Sequence, residues 1–154
     1  MPAKMATPMP NRTLLHVIIP GPPHTQERHR WGRGRIYDPS SKDKQTFQWQ
    51  LAAAVPHLKP EMTARIGVLL TIWSAKVSKA GSVVKDEDAD NFLKFYMDAM
   101  SPPKIKRKHR DKIDQSQCFA VWGNDCQVDE ARVRVYRGCS EPQVEILVYA
   151  IGAA

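Results

Sequence analysis

A chain of 154 residues with 23 Lys and Arg against 16 Asp and Glu, net charge +7, is one domain's worth of basic protein. Hydrophobic content of 42% and charged content of 25% are those of a globular fold and exclude wholesale disorder; there is neither an apolar run long enough for a membrane span nor the apolar core of a signal peptide. Cys118, Cys126 and Cys139 form no CxxC pair and indicate neither a disulfide framework nor a zinc site, so a reducing cytoplasm is the expected location and a polyanion the expected partner.

In chain order, residues 1–12 carry Pro and Met without a period and are expected to be a tail outside the fold, with the domain over residues 13–151. Thr13 to Ile19 alternates as a first strand, closed by Pro20, Gly21, Pro22 and Pro23, and His16 within it is expected to be a core or edge histidine. His24 to Pro39 is an irregular basic segment in which Arg28, Arg30, Arg33 and Arg35 are interleaved with Trp31, Gly32, Gly34 and Tyr37. Guanidinium groups contact phosphates, and aromatic rings stack on unpaired bases, so this mixture points to nucleic acid. Ser40 or Ser41 caps a helix from Ser41 to Ala54, stopped by Pro56, with Phe47, Leu51 and Ala54 in its buried stripe and Trp49 on another face. Ala64 to Ala75 is the clearest strand, apolar on both faces and therefore an inner one.

Lys85 to Met100 packs Asp86, Glu87, Asp88 and Asp90 together and then turns helical. Phe92, Phe95, Tyr96, Ala99 and Met100 fall on one face, with Asn91, Lys94 and Asp98 opposite. Asp90 is read as the N-cap of a helix over Asn91–Met100, and Asp86, Asp88 and Asp90 as alternate positions on one side of an extended segment. Like charges so gathered call for a cation between them. An EF-hand loop is excluded, because the sixth position from Asp86 is Asn91 rather than glycine and the twelfth is Met97 rather than glutamate. An exposed acidic turn that merely caps the helix is the plain alternative. Beyond it lie a basic block, Lys104 to Lys112, a short strand over Gln117 to Trp122, a turn at Gly123-Asn124-Asp125, and strands over Gln127 to Tyr136 and Gln143 to Ile151. These elements predict a compact single α+β domain with a mixed β-sheet and two main helices.

Asp88-Ala89-Asp90-Asn91 with Lys94, followed downstream by Asn124-Asp125-Cys126-Gln127-Val128 and preceded by Ile19-Pro20-Gly21-Pro22-Pro23, resembles the RusA family of Holliday junction resolvases over roughly Thr13 to Ile151. The resemblance implies a RusA-like fold, a homodimer, and Mg²⁺ held by Asp88, Asp90 and Asp125, with Lys94 assisting phosphodiester hydrolysis. The residue types suit that chemistry: carboxylate oxygens are hard ligands for Mg²⁺, and an ammonium stabilises charge growing on phosphoryl oxygens. Asn124 stands where the family often has an aspartate. The expected activity is a Mg²⁺-dependent endodeoxyribonuclease resolving four-way DNA junctions in recombination and repair. Arg28, Arg30, Arg33, Arg35, Lys104, Lys106, Arg107, Lys108 and Arg110 are its expected phosphate contacts. The alternatives are a non-catalytic basic DNA- or RNA-binding protein, which needs neither Asp125 nor Lys94, and a nuclease for other branched DNA.

Overall fold

In the computed structural model, residues 11–32, 34–77, 88–104 and 119–152 are described. Strand β1 (Arg12–Pro20) leads into a small hairpin of β2 (Arg30–Gly32) and β3 (Arg35–Tyr37), then helix α1 (Ser41–Ala54), strand β4 (Ile66–Trp73), helix α2 (Ala89–Met100), and strands β5 (Val128–Tyr136) and β6 (Gln143–Ala150). The main sheet has the order β1-β6-β4-β5. β6 is antiparallel to both β1 and β4, whereas β5 runs parallel to β4, so the sheet is mixed as the sequence predicts. β4 is the inner strand expected, and β1 lies at an edge. His16 accordingly sits exposed on β1, with Nε2 3.0 Å from Glu145 Oε2.

Both helices cover one face of this sheet. Period 2 sends Ile66, Val68, Leu70 and Ile72 of β4 and Val144, Ile146 and Val148 of β6 to that face, where Phe47 and Leu51 of α1 meet them. All five apolar positions read on α2, Phe92, Phe95, Tyr96, Ala99 and Met100, are buried there. Phe47 packs edge-on against both Phe95 and Tyr96, and truncating any one of these rings would cost about 3–5 kcal/mol. On α1 the stripe is narrower than predicted: Phe47 and Leu51 are its buried residues, and Ala54 in the last turn is exposed. The opposite face of the sheet is partly open, with Leu69 exposed and Trp73 stacked on Tyr136 at 5.9 Å.

Three local expectations change. α2 begins at Ala89, and its N-cap is Asp88, whose Oδ1 accepts from the Asn91 N–H at 2.8 Å. Asp90 lies inside the first turn, so Asp88 and Asp90 do not alternate along an extended segment. The reason is reach: a cap must contact the amide two or three residues on, and Asp88 has that amide in range. Second, the basic segment is not wholly irregular, since Trp31 pairs with Ile36 and Gly32 with Arg35 across the hairpin. Gly34 turns its tip at φ 75°, and the Tyr37 ring lies so close over Gly32 that an added Cβ would meet it at 2.8 Å. Third, the part of Gln117 to Trp122 within the described residues forms only a single parallel bridge, Glu61 to Trp122.

Candidate active site

The N-terminal end of α2 opens onto a polar cleft. Asp88 and Asn91 line it together with Thr25, Gln26, Glu27, Arg28, Arg30 and Lys76, around a volume of about 700 Å³. The backbone ties this wall to the helix, because the Gln26 N–H donates to the Asn91 carbonyl at 3.1 Å and the His24 N–H to the Tyr96 hydroxyl at 3.0 Å. Asp88, Asp90 and Lys94 are all exposed. Asp90 in the first turn also suits the partial positive charge of a helix N-terminus. Arg30 is steadied by Glu27 at 3.3 Å, while Arg28 shares the cleft wall with Asp88.

The Gln26 side chain is 6% exposed and holds an anomaly. Its Nε2 donates to Asp38 Oδ1 and to the Glu27 carbonyl, both at 2.9 Å, which fixes the amide's orientation because both partners only accept. Oε1 is left buried without a hydrogen-bond partner. Asp38 in turn accepts from the Ser40 N–H and from Lys44 Nζ at 2.7 Å, and Lys44 reaches Asp98 of α2 at 3.5 Å. Burial pushes the Asp38 carboxyl up, but hydrogen bonds from Lys44, Ser40 and Gln26 outweigh it and hold it below the usual 3.8. This network clamps the base of the β2–β3 hairpin to both helices. Beyond the clamp the hairpin projects Arg30, Arg35, Trp31, Ile36 and Tyr37 into solvent, with Trp31 75% exposed.

Asp125 belongs to the other end of α2. The Val121 N–H donates to the Met100 carbonyl at 2.8 Å, and Asp125 then opens a 3-10 turn, Asp125–Gln127. Gln127 is the pin of that turn. Its Oε1 accepts from the N–H groups of Gly123 and Asn124, its Nε2 donates to the carbonyls of Glu61 and Ala64, and Asn124 completes a capping box. Asp125 is exposed, with Oδ1 accepting from the buried Trp122 Nε1–H at 3.3 Å. The turn thus lies where β4 and β5 begin, whereas the Asp88 cleft lies past the end of β4, beside Lys76. Within one chain the structure brings Asp88, Asp90 and Lys94 onto one helix and leaves Asp125 at the far end. Among the described residues no group of three or more His, Cys, Asp or Glu side chains is placed to hold a metal ion.

Of the expected phosphate contacts, Arg28, Arg30, Arg35 and Lys104 are exposed, while Arg33, Lys106, Arg107, Lys108 and Arg110 lie outside the described residues, as do Asp86 and Glu87. Sequence reading missed Gln26, and it quoted Gln127 in the downstream motif without giving it a role. The signal for Gln127 stood in the Asn124-to-Gln127 spacing of a capping box; nothing local marks Gln26. No helix among the described residues is long and apolar enough to cross a membrane.

The comparisons give the class first: a family model of endodeoxyribonucleases matches residues 20–149 of the 154-residue chain. The chain belongs to the RusA family, whose enzymes resolve Holliday junctions and are generally dependent on a divalent metal. No curated protein matches the chain. The residues at the cleft fit such a cation in their chemistry. Asp88 on the cleft wall and Asp90 in the adjoining first turn of α2 offer hard oxygens, and the orphaned Gln26 Oε1 on the wall is a buried acceptor without a partner.

Proposed function

We propose that this protein is a Mg²⁺-dependent, structure-specific endodeoxyribonuclease that resolves four-way DNA junctions as a homodimer, using Asp88, Asp90, Asp125 and Lys94. The observation that carries the reading is the cleft at the α2 N-terminus, where exposed carboxylates stand beside Arg28, Arg30 and an unpartnered buried amide oxygen. Mg²⁺, when bound, neutralises charge on the scissile phosphate and lowers the pKa of nearby water. Asp88 has Oδ1 committed to the Asn91 N–H, so Oδ2 is its oxygen for the cation. Arg28 and Arg30 hold the phosphate backbone at the cleft mouth, and Lys94, farther along α2, offers an ammonium to the oxygens on which charge builds. The exposed Trp31, Ile36 and Tyr37 give the hairpin an apolar surface for bases left unstacked at a branch point.

A second reading keeps one observation in its favour. Asp88 already has a structural task as the helix cap, which a basic DNA-binding protein without catalysis would also require. The deciding experiment incubates the protein with a synthetic four-way junction and with a linear duplex of the same sequence, each with Mg²⁺ and with chelator. Paired nicks confined to the junction and to Mg²⁺ are expected. Intact junctions, or cutting that persists in chelator, would contradict the reading.

A further inference from the structure

A second cavity adjoins the cleft at the N-terminal end of α2. Its volume is about 300 Å³, and it shares Thr25 and Lys76 with the cleft wall. The two compartments differ in character. Glu27, Arg28, Arg30 and Asp88 make the cleft polar, whereas Pro22, Pro23, Ala75 and Pro142 line the second cavity, and no carboxylate among the described residues does. Strand pairing gathers the prolines. Pro20 ends β1 opposite Gln143, the first residue of β6, so Pro22 and Pro23 beyond one strand meet Pro142 before the other. The Gly21 N–H ties the two segments by donating to the Pro142 carbonyl at 3.0 Å. Residues 74–76, which follow β4, form the facing wall. The Ser74 N–H donates to the Tyr136 carbonyl at 2.8 Å, and the Ser74 and Lys76 carbonyls accept from the Cys139 and Gly138 N–H groups at 2.9 and 3.2 Å. Both walls are thus fixed by backbone bonds. Proline has no N–H and no polar side-chain atom, so these walls present flat, rigid ring faces. Thr25 is half-buried, and its hydroxyl makes no hydrogen bond among the described residues.

We propose that this slot takes one unpaired nucleobase of the strand being cut, while the phosphate next to that base lies in the cleft; this rests on the junction-cleaving function proposed above. A nucleotide is a charged phosphate joined through a sugar to a flat ring with apolar faces and polar edges. A cation-bearing cleft that opens into a proline-walled slot repeats that order. Apolar side chains hold an extruded base by its faces, and polar groups at the rim read its edge. Thr25 stands where the two compartments meet, and its hydroxyl can donate to a base carbonyl or accept from an exocyclic amino group. A base still paired cannot enter, because its partner strand would have to follow it. Extrusion costs least where stacking is already broken, as at a branch point. The slot therefore favours junctions over linear duplex, and it makes the rate of cutting depend on which base flanks the phosphate.

The probe is a four-way junction carrying a fluorescent aminopurine, which brightens when it leaves the base stack. Labels are walked through the positions around the branch point, and binding is followed in chelator so that no strand is cut. Wild type should brighten the label at one position, the one flanking the nick mapped in Mg²⁺. Ala75→Trp fills the slot from an exposed position. It should abolish that brightening and weaken junction binding roughly tenfold, the worth of one stacked base. Thr25→Val keeps the side chain's shape and removes the hydroxyl. It should bring the cleavage rates of junctions bearing each of the four bases at that position to within about twofold of one another, from a wider spread in wild type. This second variant decides the matter if Ala75→Trp fails to fold. Equal brightening in wild type and in folded Ala75→Trp would place the base outside the slot. Rates that keep their wild-type ratios in Thr25→Val would remove its hydroxyl from recognition. Brightening that Ala75→Trp abolishes, in a protein that cuts no junction in Mg²⁺, would sink the proposed function and leave the slot as a base-binding site. Junction cleavage that ignores the flanking base and survives Ala75→Trp would sink the slot and leave the function standing.

Discussion

The two ends of α2 are built on opposite plans. At its C-terminal end every polar atom of Gln127 has a partner, the turn is closed by a capping box, and one carboxylate, Asp125, is held out to solvent. At its N-terminal end the wall is open and charged, and the buried amide of Gln26 is left with one oxygen unmet. A saturated network gives up its stability when disturbed, whereas an unsaturated one keeps interaction capacity for a ligand. The contrast sets a closed end against an end that keeps room and an unmet acceptor for a ligand.

The comparison can be broken by exchanging the two glutamines for leucine. Gln127→Leu would remove four hydrogen bonds and strand the Asn124 N–H and the Ala64 carbonyl, while the Gly123 N–H and the Glu61 carbonyl keep their bond to each other; it should cost about 2–3 kcal/mol in chemical unfolding. The hairpin beside the N-terminal end of α2 makes a middle-sized prediction. Trp31→Ala should weaken junction binding by about 1–2 kcal/mol while leaving the melting temperature unchanged, because the ring is 75% exposed. Measured affinity equal to wild type would remove the hairpin from the interface. Arg30→Ala and Arg35→Ala should each flatten the salt dependence of binding by about one unit of slope. Gln26→Leu should shift stability by only about 1 kcal/mol or less, since removal of the orphaned oxygen offsets the two donor bonds lost. Equal losses for Gln26→Leu and Gln127→Leu would erase the distinction between the ends.

The smallest effect is a pH dependence at the clamp. Asp38 is held below its ordinary 3.8, so its contribution to stability is present above that value and lost as pH falls through the folded-state value. Urea midpoints measured downward from pH 5 should therefore fall more steeply below about pH 3.8 in wild type than in Asp38→Asn. Parallel curves would show that the Lys44–Asp38 pair does not carry that dependence.

Much of this fold could be read from period alone. The 3.6-residue stripe of α2 reports its buried side chains, and the apolar run of β4 reports its inner place in the sheet, although Leu69 on the second face is exposed. Boundaries were harder, because Asp88 and Asp90 are equally good caps by type and only the reach to the Asn91 N–H separates them. The hairpin was hidden because Arg30, Trp31, Arg35, Ile36 and Tyr37 are all exposed and carry no buried alternation. The site itself was legible as residue types and not as geometry. Period says which face a residue takes, but whether Asp125 lies near Asp88 depends on β5 running parallel to β4, a long-range choice that no local pattern records.

The central claim is that Asp88 is more than a helix cap, and one substitution separates the two roles. Asp88→Asn preserves capping, so its melting temperature and its affinity for a four-way junction should match wild type. Its rate of junction cleavage in Mg²⁺ should fall roughly a thousandfold, or about 4 kcal/mol of lost transition-state stabilisation. A cleavage rate within about tenfold of wild type would contradict the account and leave Asp88 as a cap alone.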